Sequence, residues 1–435
     1  MKYMVWGLVI VMLLSMGCAA KTMQNSVLFE DNPTIRVLLM DSSPRVSLIP
    51  GSAWRVKNAR GEEIFTFQNN TEATLYIEDN LLSLRNDNSS HQSKSFLFEP
   101  SEKNGTMEIR REGREHGHIY EGRIEAYPGD NNMPELILSL PMEEYLKGVV
   151  PYEIGPASPM EAQCAQAVAA RSESYVALVT GKYAGDRYDI CSDVHCQVFR
   201  GNERRSETSD EAVHKTRGCI LMFEGLPVSA YYASTCGGHT EDIRMVWPHR
   251  SEERAYWEAA GFDSDVDYSL DLTQEEHFRK WLKMSPDVFC NPEYSDIPKW
   301  THKNFRWARE VKAEDLTVWI SEEKDIGRVI ALQPLKRGVS GRIIELEFIG
   351  ERGTVVIGPE LKIRRTFKPA LRSGAFVVDP QGSPDRPGVF LIRGAGSGHG
   401  VGMCQVGAIG MANAGKSFRE ILNHYYPKAK IKVLY

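Results

Sequence analysis

Beyond its first two dozen residues the 435-residue chain has no long apolar run, and nowhere does it have a low-complexity tract or a block of like charge. Lacking further apolar runs, it does not read as a protein that crosses a membrane repeatedly. Its 52 Lys and Arg against 58 Asp and Glu leave a net charge of -6 and no basic patch, which excludes a nucleic-acid partner recruited by charge. At 42% hydrophobic residues the chain is too apolar for a disordered protein. Cysteine is scarce: eight in all, and seven if Cys18 is set aside, an odd number that argues against a complete disulfide framework. The glycine-rich stretch from Gly394 to Gly407 contains no G-x-G-x-x-G register, so it is not a dinucleotide fingerprint.

What is present suggests two or three domains of α+β class. Lys2 followed by the apolar run Val5 to Leu14 reads as an export signal, too short to span a membrane once mature. Ser15-Met16-Gly17-Cys18 resembles a lipoprotein cleavage box, which predicts a leader over 1–18, lipidation of Cys18 and a mature protein outside the cytoplasm, touching the membrane only through its lipid. An ordinary signal peptide with an incidental Cys18 is the alternative. Residues 26–130 alternate in short runs such as TIRVLLM and ATLYIED, broken by Gly, Asn, Asp and Ser, and read as a β-rich region. His116 and His118 are expected in a turn there, as solvated side chains. Residues 131–435 read as a second domain, with 250–326 a helical insertion whose Trp281, Trp300, Trp307 and Trp319 serve as packing anchors or sugar-stacking surfaces. Alternating strands return after Gly327.

The chain is organised around Leu140 to Tyr175. Ser158-Pro159-Met160-Glu161 has the form of a capping box, which predicts a helix starting at Pro159 and ending at Gly181, with Ala162, Ala165, Ala169, Ser172 and Val176 as a narrow face of small side chains. A shorter helix is expected over Met142 to Val149, and Pro151 with Gly155-Pro156 breaks the chain between the two. Glu153 then lies on a stiff connection between helices. Further on, Cys191, His195 and Cys196 offer the sulfur and imidazole ligands that zinc prefers; Cys236 is the first candidate for a fourth ligand and His239 the second. Packed thiols, or a Cys191–Cys196 or Cys196–Cys236 disulfide, are the alternatives. A thiol nucleophile at Cys196 or Cys236 with His195 or His239 as base is a weaker reading, because nothing places a base against a particular thiol. Cys164, Cys219 and Cys290 read as core thiols. His399 is the functional candidate of the glycine-rich stretch.

Leu140, Pro141, Glu143 or Glu144, Tyr145, Gly148, Val149, Val150 and Glu153, followed by AQAVAAR from Ala165 to Arg171, resemble the signature of the SpoIID/LytB family of stage II sporulation D and amidase-enhancer proteins. Ser234 to Thr240, Gly398 to Ala408 and Ala412 to Tyr426 are similar to further motifs of that family. The resemblance implies lytic transglycosylase activity on peptidoglycan glycan strands, preferably free of stem peptides, with Glu153 as the essential acid. It also implies a zinc ion held through Cys and His, structural in role. His399 and Gln405 are then expected at the sugar, and Arg171 and Gln166 as braces of the Glu153 loop. One carboxyl suffices for an intramolecular attack, and the apolar Val149, Val150, Tyr152 and Ile154 predict a raised pKa for Glu153. The family name carries a second expectation, a non-catalytic peptidoglycan-binding enhancer of a cell-wall amidase. A zinc hydrolase built on Cys191, His195 and Cys196 with water is the third.

Overall fold

The structure, a computed structural model, describes residues 31–39, 43–250 and 259–435. The expected leader and Cys18 lie outside the described residues. The class is α+β.

Strands up to residue 141 build two mainly antiparallel sheets that face each other across one apolar core containing Val37, Leu48, Trp54, Phe98 and Leu138. Alternation produces this: Thr34–Leu39 buries every second residue, as a strand with one face on a core must. The boundary expected at residue 130 is not a structural division. Thr34–Leu39 pairs antiparallel with Pro134–Pro141 and parallel with the two-residue strand Ile190–Cys191, so the sheet itself crosses that boundary. The Cys191 segment thereby hangs from the sheet edge.

Two helices follow at once. The first, α1 (Met142–Glu153), runs four residues beyond the expected end: Pro151 removes one backbone donor, yet the helix completes another turn, closed by Ile154 N–H to the Val150 carbonyl at 3.1 Å. Glu153 is therefore the last helical residue rather than a loop residue. The second, α2 (Met160–Thr180), ends as expected on Gly181 in the left-handed region, φ 62°. Its start differs from expectation. Pro159 is the cap residue and no side chain caps it; Ser158 Oγ instead donates to the Ile154 carbonyl at 2.6 Å, while Glu161 accepts from the Phe418 amide at 2.7 Å. The predicted capping box is thus replaced by one local bond and one tertiary bond. From Ala162 to Ser172 every residue of α2 is buried, so the helix is enclosed around its whole circumference and not on one face. Around α2 pack α1, the helices α3 (Gln405–Asn413) and α4 (Phe418–Tyr425), and the strand Cys219–Phe223.

A second apolar core spans Val311 to Ile392 and is enclosed by two three-stranded sheets, Arg306–Lys312 with Phe376–Ser383 and Arg386–Ala395, and Val329–Arg337 with Ile343–Gly350 and Gly353–Ile357. The expected insertion at 250–326 is accordingly redrawn: Phe278, Trp281, Val288 and Cys290 join the main core, and the chain from Val311 onward belongs to the second.

Arg171, expected to brace Glu153, does something else. Fully buried, it forms a two-pronged pair with Glu143, Nε to Oε1 and Nη2 to Oε2 both at 2.8 Å, and donates to the Cys219 and Val213 carbonyls. Tyr435 O–H donates to Glu143 Oε1 at 2.7 Å. Burial alone would raise the Glu143 carboxyl, but the Arg171 guanidinium outweighs it and holds the group below the usual range. Arg171→Met is expected to lower unfolding stability by about 3–5 kcal/mol, the cost of stranding a buried charge, as read from urea denaturation. Because the native pKa of Glu143 is depressed, the pair's contribution is present above the unfolded value of about 4.3 and is lost as pH falls through the native one. A variant with unchanged stability across that range would refute this account.

Candidate active site

Glu153 reaches a half-buried position at the C-terminal end of α1, with its carboxyl group enclosed by protein. Oε1 accepts from the Val198 amide at 2.9 Å, and Oε2 accepts weakly from Gln405 Nε2 at 3.4 Å. Gln405 is shared: the same nitrogen donates to Gln166 Oε1 at 3.2 Å. Gln166 and Gln405 are therefore brought to Glu153 as a relay, whereas Arg171 is not. Desolvation raises the Glu153 pKa, and the bonds from Val198 and Gln405 offset only part of the rise. Among the described residues, no charged side chain is a cause of this shift.

Three further groups frame the acid. Tyr145 and Tyr232 are close enough that the Glu153 charge pushes their hydroxyls up, on top of the larger effect of burial. Tyr232 O–H donates to Gln197 Oε1 at 2.9 Å, and Gln197 Nε2 donates to Ser174 Oγ at 2.7 Å, so the segment before Val198 is fixed to α2. Gly148 on α1 lets residues 199–201 lie against the helix: a Cβ there would stand 2.5 Å from the Phe199 ring and 2.8 Å from the Gly201 carbonyl. Nearby, Trp300 is 57% exposed, and its ring edge lies 4.0 Å from where a Gly155 Cβ would be. Of the four tryptophans singled out above, Trp281 is buried core and Trp300 is the one exposed beside the acid's own turn.

Cys191, His195 and Cys196 bring their ligand atoms within 4.8 Å of one another. Tyr183 O–H sits among them, 2.7 Å from His195 Nδ1, 3.4 Å from Cys196 Sγ and 3.8 Å from Cys191 Sγ. A hydrogen bond from Cys191 pulls the Cys196 thiol down to about 4 against its burial, with help from Tyr183 and the Lys182 ammonium 3.3 Å away. Cys236 does not join this group. The fold carries it to Asp263, Cys290 and Cys404 instead, which corrects the expected fourth ligand. His239 is also elsewhere, stacked edge-on against Phe262, with burial pushing it down to about 4. The seven described cysteines are all free thiols.

His399 packs its ring 4.9 Å from Trp247 and accepts from the Val401 amide through Nδ1 at 3.0 Å. Burial and the nearby Arg342 push it down to about 3, so it is neutral and unsuited to deliver a proton. Its neighbour Gly400 has φ +80°, and a Cβ there would lie 2.5 Å from the Arg342 guanidinium carbon. Arg342, fully buried, donates to the Cys236 and Gly398 carbonyls and to Ser340 Oγ, tying two loops together. Sequence reasoning missed Arg342, Tyr232 and Val198, and named Tyr145 only as a signature position. An Arg beside a strand gives no local sign of the loops it will reach, and a backbone amide gives none at all.

Glu153 is expected to titrate above the ordinary glutamate range, and Gln405→Met to raise it further by removing a donor that favours the charged form; carbon-detected NMR titration of labelled glutamate checks both. A downward shift in the variant would contradict the geometry.

Residues 130–223 match the stage II sporulation protein family, and residues 242–402 match a domain of unknown function (DUF8618). The chain is 27% identical over 401 residues, 92% of each chain, to an uncharacterized protein of Brachyspira hyodysenteriae. It is 28% identical over 318 residues to the stage II sporulation protein D of Bacillus amyloliquefaciens, covering 70% of this chain and 76% of that one. Similarity to the amidase enhancer of Bacillus subtilis is 27% over 300 residues, 65% of this chain but 39% of the relative, so the match spans well under half of that protein. The sporulation-protein match lies across the helix pair that carries and braces Glu153, and in that region the chain is similar to the stage II sporulation protein family.

Proposed function

We propose that the protein is a peptidoglycan lytic transglycosylase, cleaving the MurNAc–GlcNAc bond with Glu153 as acid and then base. The observation that carries this reading is a single enclosed carboxyl whose affinity for protons is raised by desolvation and by no neighbouring charge. Ordinary glycosidases divide the work between two carboxylates. Here the protonated Glu153 gives its proton to the glycosidic oxygen as the C1–O bond breaks. The resulting carboxylate takes the proton of the muramyl 6-hydroxyl as that oxygen bonds to C1, closing a 1,6-anhydro ring without consuming water. Trp300, exposed beside Gly155, offers a flat apolar face for a sugar ring. His399 is not a proton donor in this scheme; its neutral ring stiffens the glycine-rich loop.

A zinc ion fits Cys191, His195 and Cys196: three donors already converge, and one thiol favours its charged form. Such an ion would neutralise that thiolate and fix the loop that presents the Val198 amide to Glu153; no step of the reaction passes through it. An envelope location, reached through export and a lipid on Cys18, accompanies this reading, as do glycan strands and a cell-wall amidase as partners. Among the described residues no helix is long and apolar enough to cross a membrane.

A second reading, a peptidoglycan-binding enhancer of an amidase, draws on the fact that both Glu153 oxygens already accept bonds from the chain itself, as a purely structural acid's would. Mass spectrometry of glycan fragments released from intact and amidase-stripped peptidoglycan separates the two. The parent protein is expected to release 1,6-anhydro-MurNAc ends, with loss of at least 100-fold in Glu153→Gln and retained glycan binding. No release from either substrate, with binding intact, sinks the transglycosylase reading in favour of the enhancer. Activity is expected to fall as pH rises through the raised Glu153 pKa, since the resting acid must be protonated. Trp300→Ala is expected to weaken glycan binding about 3- to 10-fold, as isothermal titration would show.

A further inference from the structure

Away from the Cys191 group, a second set of ligand-bearing side chains converges in the main core. Cys236, Asp263, Cys290 and Cys404 are buried, and one ligand atom from each lies within 4.8 Å of all the others. They come from four separate segments: the turn after Tyr232–Ala233, the segment after Gly261, the irregular chain before Asn291, and the residue that caps α3. Three thiols and a carboxylate make an unusual core contact, because burying a carboxylate against sulfur without a cation is costly.

Two of the six distances among these ligand atoms are those of tetrahedral coordination. With metal–sulfur bonds of about 2.3 Å, neighbouring sulfurs of a zinc tetrahedron stand about 3.8 Å apart, and a sulfur and a carboxylate oxygen about 3.5 Å apart. Cys236 Sγ lies 3.7 Å from Cys290 Sγ and 3.3 Å from Asp263 Oδ2. Two of the three sulfurs also accept backbone N–H bonds. Cys404 Sγ accepts backbone N–H bonds from Cys236 at 3.2 Å and Gly407 at 3.3 Å, and Cys236 Sγ accepts one from Gly238 at 3.3 Å. The far oxygen of Asp263 is held by Tyr425 O–H at 2.5 Å, which orients Oδ2 toward the sulfurs as outer-sphere partners orient metal ligands. Arg306, half-buried with its Nε enclosed and unpartnered, lies close enough to feel the Cys290 and Cys236 charges, and His424 Nε2 stands 3.6 Å from Asp263 Oδ1.

We propose that Cys236, Asp263, Cys290 and Cys404 form a second metal site, a mononuclear structural zinc separate from the Cys191 group. Binding releases three thiol protons and leaves an anionic S3O complex, whose excess charge Arg306 offsets. Three soft ligands and one hard one select zinc over magnesium or calcium. The ion joins segments on both sides of the main core to the start of α3, where Cys404 immediately precedes Gln405.

The test is zinc content by plasma mass spectrometry on the purified chain, alongside its Cys290→Ser and Cys196→Ser variants. Cys290→Ser is expected to lose one equivalent of zinc relative to the parent, and Cys196→Ser to retain that equivalent. Unchanged zinc in Cys290→Ser, or a disulfide among Cys236, Cys290 and Cys404 in a non-reducing peptide map, overturns the proposal. Should Cys290→Ser fail to fold, cobalt(II) loaded into Cys196→Ser provides the reading with the second site untouched: strong near-ultraviolet thiolate-to-cobalt bands and tetrahedral visible bands are expected, and their absence refutes the site. Metal content does not depend on Glu153, so failure here leaves the transglycosylase reading standing, and the converse holds.

Discussion

Arg171 carries a full charge with no exposed surface, in the middle of a helix whose every neighbour is protein, and Glu143 is the countercharge that makes this possible. The pair joins the first turn of α1 to the centre of α2. Once those two helices are locked at that point, the far end of α1, and Glu153 with it, is set relative to α2. The small residues of α2 serve the same end: Ala162, Ala165 and Ala169 let α1, α3 and α4 approach from several sides, so a single helix organises most of the main core. Buried pairs contribute little net stability compared with apolar replacements, but they penalise any packing that separates them.

The candidate acid is held by two donors from distant parts of the chain, and each donor adjoins a group of thiols. Val198 follows Cys196 by two residues, and Gln405 follows Cys404 directly. Fixing these two segments gives Glu153 a constant electrostatic environment, which a group proposed to serve as acid and then base requires. Desolvation is the largest influence on that carboxyl, and the partial compensation by an amide and a shared Gln side chain leaves its proton affinity raised rather than cancelled.

The second core contributes to this region from outside it. Its Arg337 pairs with Glu275, and its Asp379 pairs with Arg279, on a helix whose Phe278 and Trp281 belong to the main core. Arg342, between two of its strands, reaches the Cys236 and Gly398 carbonyls and so fixes the glycine-rich loop.

Local chemistry was legible in the sequence. Alternation marked the strands before residue 130, Gly181 marked the end of α2, and the spacing of Cys191, His195 and Cys196 marked three groups that the fold does bring together. Glu153 was legible as a candidate acid through the resemblance of its stretch to a known signature, and its raised pKa through the apolar residues within four positions of it. What depended on how whole elements pack was not. Ser158 and Glu161 have the spacing of a capping box, but Ile154 and the Phe418 amide compete for them and win in the folded state. Arg171 was expected to brace Glu153, but the packing of α2 on α1 sets it beside Glu143, ten residues and about three turns away from that acid. Cys236 shares its residue type with the Cys191 group, yet it lies with Cys290 and Cys404, because strand Tyr232–Ala233 pairs with Met403–Cys404 and carries it there. The sequence alone determined which residue types and local conformations were available; the pairing of remote segments decided which of them meet, because that choice is made by the packing of whole elements and leaves no trace at any one position.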